Sequence, residues 1–193
     1  LDVNGNAIVS ASNGAIAINA NGTGMVTMTS NSITGDVIPG KLSGTNFPNS
    51  LLIGHSTTGT LDDAQRNTGV GIGTLDALTS GDRNTTVGYS AGAAMTGHDG
   101  TAIGNEALNL ATGAGNTAVG KDAGKIIEGG EYNICLGYQA GDNISSGSGN
   151  VVIGKADVSS ATGDDQLSIS DGEDGAVVWV TGESTGNVEI NEV

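Results

Sequence analysis

An aliphatic residue followed by glycine recurs along the middle of the chain, at Ile53-Gly54, Val70-Gly71, Val87-Gly88, Ile103-Gly104, Val119-Gly120, Leu136-Gly137 and Ile153-Gly154, with spacings of 17, 17, 16, 16, 17 and 17 residues. Four residues before the glycine stands Asn67, Asn84, Asn116, Asn133 or Asn150, with Ser50 and Gly100 in the other two copies. Ala91, Ala107, Ala123 and Ala140 follow the glycine by three, and Gly81, Gly97, Gly113, Gly129 and Gly147 close the units. Repeats this short cannot make a propeller blade or a helix pair, which need roughly 30 to 50 residues. They predict one coil of an all-β parallel β-roll or β-solenoid. Each coil opens on a strand such as residues 116–119, which the glycine ends. A second, weaker strand is expected around the apolar anchors Leu78, Met95, Ala111, Ile127 and Ile144. Helical alternatives such as residues 106–111 are far shorter than the ~12 residues an isolated helix needs.

Side chains alternate along the first strand. The expectation is that Ile53, Val70, Val87, Ile103, Val119, Leu136 and Ile153 line the coil interior, together with Thr68, Thr85, Thr101 and Thr117. Leu52, Gly69, Thr86, Ala102, Ala118, Cys135 and Val152 then fall on the opposite face. That face is small or apolar rather than charged, so it calls for a covering layer, and the simplest cover is a second copy of the chain around a symmetry axis. Stacked coils at about 4.8 Å make a rod of roughly 34 Å. The asparagine column can form a ladder of side-chain amides, or each Asn can simply start the turn before its strand.

Composition narrows the function classes. Of 193 residues 34 are Gly and five are aromatic (Phe47, Tyr89, Tyr132, Tyr138, Trp179), which suits a thin repetitive layer better than a bulky globular core. Six basic against 21 acidic residues give a net charge of −15, so the chain should repel nucleic acid and anionic lipid headgroups. No apolar run is long enough to span a membrane, and no export signal opens the sequence, which starts without Met. Cys135 is the only cysteine, so no intrachain disulfide can form, and its slot is one for small buried groups.

The segments NTTVGYSAG (84–92), NTAVGKDAG (116–124) and NICLGYQAG (133–141) resemble the repeats of YadA-type trimeric adhesin heads, and more closely those in tail fibre proteins of marine and cyanobacterial phages. The resemblance covers residues 49–157 and includes NSLLIGHSTTGTL at 49–61. It implies a parallel β-roll, a homotrimer and attachment to a surface: a virion tail fibre segment with other fibre proteins and a host receptor, such as a glycan, as partners. A bacterial surface adhesin is the alternative. The adhesin heads commonly use shorter coils and a Ser-Val-Ala-Ile-Gly strand, whereas Thr usually stands three before the glycine here.

Around the roll, residues 1–48 are expected to form a β-rich shaft segment and linker, with Asn-Gly turns at 4–5, 13–14 and 21–22 and the linker from Pro39 to Pro48. Residues 158–193 are expected to form a terminal β-element anchored by Trp179. No catalytic, cofactor or metal residue is assigned. Asp62-Asp63, Asp164-Asp165 and Glu173-Asp174 could flank a glycosidic bond but read better as solvated turns. The acidic turn Asp171–Asp174 is oxygen-rich without a calcium-loop pattern. His55 and His98 lack metal-ligand spacing, and Gly69–Gly73 lacks the Lys-Ser/Thr of a nucleotide loop. A sugar-degrading tailspike and an ice-binding solenoid remain competing functions; the latter requires the Thr column to face outward.

Overall fold

The computed structural model describes residues 40–54 and 58–191. The expected turns and strands before Gly40, and His55, lie outside the described residues. Eleven strands form one sheet in sequence order: β1 (Gly40–Gly44), β2 (Phe47–Ile53), β3 (Thr68–Val70), β4 (Thr85–Val87), β5 (Thr101–Ile103), β6 (Thr117–Val119), β7 (Ile134–Leu136), β8 (Val151–Ile153), β9 (Leu167–Ser170), β10 (Val178–Gly182) and β11 (Val188–Ile190). No helix occurs among the described residues. Strands β2 to β9 pair in parallel, so that Val70, Val87, Ile103, Val119, Leu136, Ile153 and Ile169 stand in one column. The fold is thus a β-solenoid of about seven turns, and its parallel stack continues past residue 157 to β9.

Both ends of the stack switch to antiparallel pairing. β1 pairs with β2 across a turn at residues 45–46, so the described part of the stretch expected as a linker from Pro39 to Pro48 is a β-hairpin, and Phe47 within it is 2% exposed. At the other end β9, β10 and β11 form an antiparallel meander. Trp179 sits at the irregularity between Val178 and Val180 and is 45% exposed, so it does not anchor this element as expected.

The strand alternation holds but its two faces are exchanged. Leu52, Ala102, Ala118, Cys135 and Val152 are fully buried inside the coils, whereas Val70, Val87, Ile103, Val119 and Ile153 are 37–41% exposed on the outer face. Thr68, Thr85, Thr101 and Thr117 share that outer face. The reason lies across the coil. The side opposite the strands contributes the bulky residues Leu75, Leu78, Met95, Leu108, Ile127 and Ile144, all essentially buried. A coil this thin has no room for two large side chains facing each other, so the strands must supply the small ones. Gly69 makes the point locally: a Cβ there would collide with the Leu52 side chain and with the Thr74 hydroxyl.

The second strand expected in each coil is absent. The anchors Leu78, Met95, Ala111, Ile127 and Ile144 are buried as expected, but each directly follows a run of consecutive turns rather than lying in a strand. Within this stretch the backbone adopts positive φ at alternate positions, for example Ser90 (φ 51°) and Gly92 (57°), or Asp122 (58°) and Gly124 (54°). Alternating left-handed residues break strand geometry. The turns still bond from coil to coil, as in Gly92 N–H to Ala107 C=O (2.9 Å) and Gly124 N–H to Ala140 C=O (2.9 Å).

Two columns lock the stack. The glycine after each strand, Gly120 for instance, has φ of 137°, and a Cβ added there would run into the carbonyl of Gly137 one coil on. Only glycine satisfies both constraints. The asparagines form a ladder, but one made chiefly with the backbone. Each Oδ1 accepts the N–H of the equivalent residue in the next coil, as in Asn67 from Asn84 (2.9 Å), Asn116 from Asn133 (2.9 Å) and Asn133 from Asn150 (3.0 Å). Each Nδ2 donates to a glycine carbonyl of the next corner: Gly81, Gly97, Gly130, Gly147 and Gly163. Amide-to-amide bonds join the ladder in its second half, from Asn133 Nδ2 to Asn116 Oδ1 (3.0 Å), from Asn150 Nδ2 to Asn133 Oδ1 (2.9 Å) and from Gln166 Nε2 to Asn150 Oδ1 (3.1 Å). The corner glycine of its coil is therefore Gly130 rather than Gly129. A Cβ on Gly129 would meet nothing, which marks it as the extra residue of a 17-residue coil. At Gly100 the missing Asn is replaced by the Met95 thioether, which fills the space a side chain would need.

Candidate functional surface

Because the strands put their larger residues outside, the solenoid presents a regular face three residues wide. Its central column is Val70, Val87, Ile103, Val119, Leu136 and Ile153; its leading column is Thr68, Thr85, Thr101, Thr117, Ile134 and Val151. No charged residue occurs in strands β3 to β8. The acidic side chains are carried by the turns instead.

Just past the glycines runs another column, Ile72, Tyr89, Asn105, Lys121, Tyr138 and Lys155. Ile72, Tyr89 and Tyr138 are 63%, 55% and 45% exposed. The ammonium groups of Lys121 and Lys155 lie 5.5 and 5.3 Å from the centre of the Tyr138 ring, from the coils before and after it. Such cation–π contacts contribute about 0.5–1 kcal/mol at exposed sites. Lys121 also bonds to Asp122, while Lys125 bridges Asp122 and Glu106. Burial opposes ionisation of Asp122, but the hydrogen bonds from these two lysines hold its carboxyl below the usual range. The sequence signal for this cluster is the residue that follows each glycine, legible once the repeats are aligned.

The other titratable residues are accounted for by local structure. Cys135 is fully buried, and burial pushes its thiol up to about 12, so it carries no thiolate chemistry near neutral pH. The exposed His98 accepts the Asp82 N–H at Nδ1 (3.0 Å) as a turn residue. Asp62 and Asp63 are exposed, as are Asp164 and Asp165, and Asp164 accepts the Ser148 N–H (2.8 Å). In the acidic turn, Asp171 Oδ1 accepts the N–H groups of Glu173, Asp174 and Gly175 while Oδ2 accepts that of Val177. Those bonds, Val177's first, hold its pKa down to about 2. Its oxygens are thus engaged in shaping their own loop. The structure does not bring the paired acids together into one cleft, and no group of three metal-ligating side chains is arranged around a common point among the described residues. Gly69–Gly73 ends β3 and enters the following turn, as coil punctuation. No protein-family profile, curated protein or solved structure matches the chain.

Proposed function

We propose that this chain is a non-catalytic structural segment of an extracellular fibre, as in a bacteriophage tail fibre, which assembles as a homotrimer and contributes to attachment to a host cell surface. The observation that carries the reading is the uncharged outer face, with its column of aliphatic residues held in register along the rod, of which Val70, Val87, Ile103, Val119 and Ile153 are still about 40% exposed. Exposed aliphatics scattered singly need no partner, but a contiguous column marks an interaction surface. Covering it completes the burial of each Val or Ile, which is worth about 1.5–3 kcal/mol in full. A repeated, self-similar face fits another copy of itself, and closed symmetry avoids an open-ended aggregate. The interface on this reading is the Val119 column, not the Ala118 column that the sequence suggested.

Sedimentation velocity on the wild type and on Val119→Asp tests it. A trimer is expected for the wild type and a folded monomer for the variant; a monomeric wild type refutes the reading. Release of oligosaccharide from a host polysaccharide, lost on changing Asp164 or Glu173, would refute the non-catalytic part.

The outward Thr column favours a second reading, an ice-binding solenoid. Thr68, Thr85, Thr101 and Thr117 lie in register beside the aliphatic column, an array of hydroxyl and methyl groups that repeats from coil to coil. The two readings compete for one surface. A trimer that buries this face leaves none of it for ice, so an ice-recrystallisation assay on the same preparation separates them.

A further inference from the structure

We propose that the cleft between the last solenoid coil and the β10–β11 hairpin binds a single sugar ring, taking an amino sugar in preference to a neutral one and rejecting an acidic one. The inference goes beyond the fibre reading and does not depend on how many chains associate.

It starts from the interior column of the solenoid. That column runs Ala102, Ala118, Cys135 and Val152, all fully buried, and its next member is Ser168, in register with Val152. Ser168 is only 3% exposed, and its hydroxyl, which makes no hydrogen bond within the protein, keeps its remaining exposure toward the cleft that it lines. A nearly buried hydroxyl without a protein partner is costly unless a ligand or water in the cleft supplies one; the stack's asparagines are bonded within the protein, whereas the Thr86 hydroxyl is sealed inside its coil without a partner. Here the coil interior opens into a cleft of about 240 Å³, and Ser168 lines it.

The antiparallel register then builds a polar row across three strands. Ser168 of β9 stands opposite Thr181 of β10, which stands opposite Glu189 of β11. Glu183 and Asn187, from either side of the β10–β11 turn, complete the lining, with Asp157 on the coil side. Hydroxyls that donate and accept, an amide, and carboxylates that accept from neighbouring hydroxyls are the groups that recognise a polyol. The lining contains no Lys, Arg or His, so it attracts an ammonium group and repels a ligand carboxylate. The volume is somewhat below the ~300 Å³ at which drug-sized pockets begin, room for one ring rather than a chain. The carboxylates do not form a metal site, since no three ligating groups converge among the described residues.

Amide NMR titrations of the full chain with glucosamine, glucose and glucuronate test the proposal. Saturable shifts at residues 166–168 and 181–189 are expected with glucosamine, about tenfold weaker binding with glucose for want of one charge-assisted hydrogen bond, and no shifts with glucuronate. Ser168→Val, a size already accepted at Val152 in the same column, is expected to weaken glucosamine binding by about tenfold. Absence of saturable shifts with both glucosamine and glucose, or undiminished binding by a folded Ser168→Val protein, overturns the site. Should that variant fail to fold, Glu183→Gln at an exposed position decides instead: it is expected to erase the preference for glucosamine over glucose, and a retained preference overturns the proposal.

Discussion

Truncating Asn133 to alanine removes a residue that clamps two coils at once. Its Oδ1 accepts the Asn150 N–H (3.0 Å) and the Asn150 Nδ2 (2.9 Å), and its Nδ2 donates to the Gly147 carbonyl (2.9 Å) and to Asn116 Oδ1 (3.0 Å). Two of these partners have somewhere else to go: Asn116 Oδ1 still accepts the Asn133 N–H, and Asn150 Nδ2 still donates to Gly163. The other two, the Asn150 N–H and the Gly147 carbonyl, are left without a protein partner. Each buried orphan costs about 1–3 kcal/mol, so the loss should total about 2–6 kcal/mol. The exposed Asn105, whose side chain makes no such clamp, is the control and should change stability by no more than about 0.5 kcal/mol when cut to alanine. Urea unfolding followed by far-ultraviolet circular dichroism gives the global effect, and native-state hydrogen exchange reports on the Asn150 amide directly. A loss below about 1 kcal/mol, or an Asn150 amide as protected as in the wild type, would show that water or backbone adjustment replaces the clamp and that the ladder is not what holds the coils.

Ala118→Asp puts a carboxylate inside a coil and should abolish folding at any protein concentration, at a cost of at least 3–5 kcal/mol; a folded, merely monomeric variant in sedimentation and circular dichroism would contradict the interior placement. Gly120→Ala should lose several kcal/mol, more than the ~1 kcal/mol of an ordinary left-handed penalty, because its methyl meets the Gly137 carbonyl; a thermal melt within a few degrees of wild type contradicts this. Burial, then the neighbouring charge of Asp157, raises the Asp142 pKa above its unfolded value, so ionising Asp142 opposes folding. Asp142→Asn should therefore stabilise the protein near neutral pH and lose that advantage as pH falls below the ordinary carboxylate range; urea midpoints at both pH values check the sign.

The period, the glycine column, the asparagine column and the apolar anchors were all legible, because each depends on a residue type that recurs at one place in the coil; that the asparagines are buried and bond chiefly to backbone was not. Which strand face points inward was not. Val119 is larger than Ala118, and size alone sends the larger residue inside; the outcome is reversed because Leu108 and Ile127 arrive from the turn side and occupy the space. That information sits in residues outside the strand, and no alternation within it reveals the answer. The missing second strand was hidden for a related reason. Ser90, Glu106, Asp122 and Gln139 all hold left-handed backbone angles, yet none is a glycine that would announce it. The Lys121–Tyr138–Lys155 stack also went unread: Lys121→Asp, which exposure alone marks as harmless, would strip the buried Asp122 of one of its two lysine partners. Ser168 carries no repeat signature, because the aliphatic-Gly motif ends at Ile153-Gly154, one coil before it, while the parallel stack continues to β9.

Gly100 divides the asparagine ladder. From Ser50 the bonds pass through Asn67 and Asn84 and stop where Gly100 donates its N–H to Asn84 and has no side chain to hand the chain of bonds onward. They begin afresh at Asn116 and run through Asn133 and Asn150 to Gln166. A stack of nearest neighbours opens like a zipper, one coil after another, unless some step is weaker than the rest. Pulled along its axis, this rod should part first at the coil of Gly100, leaving two intact blocks that can re-engage when the load is released: a seam that yields before either end frays.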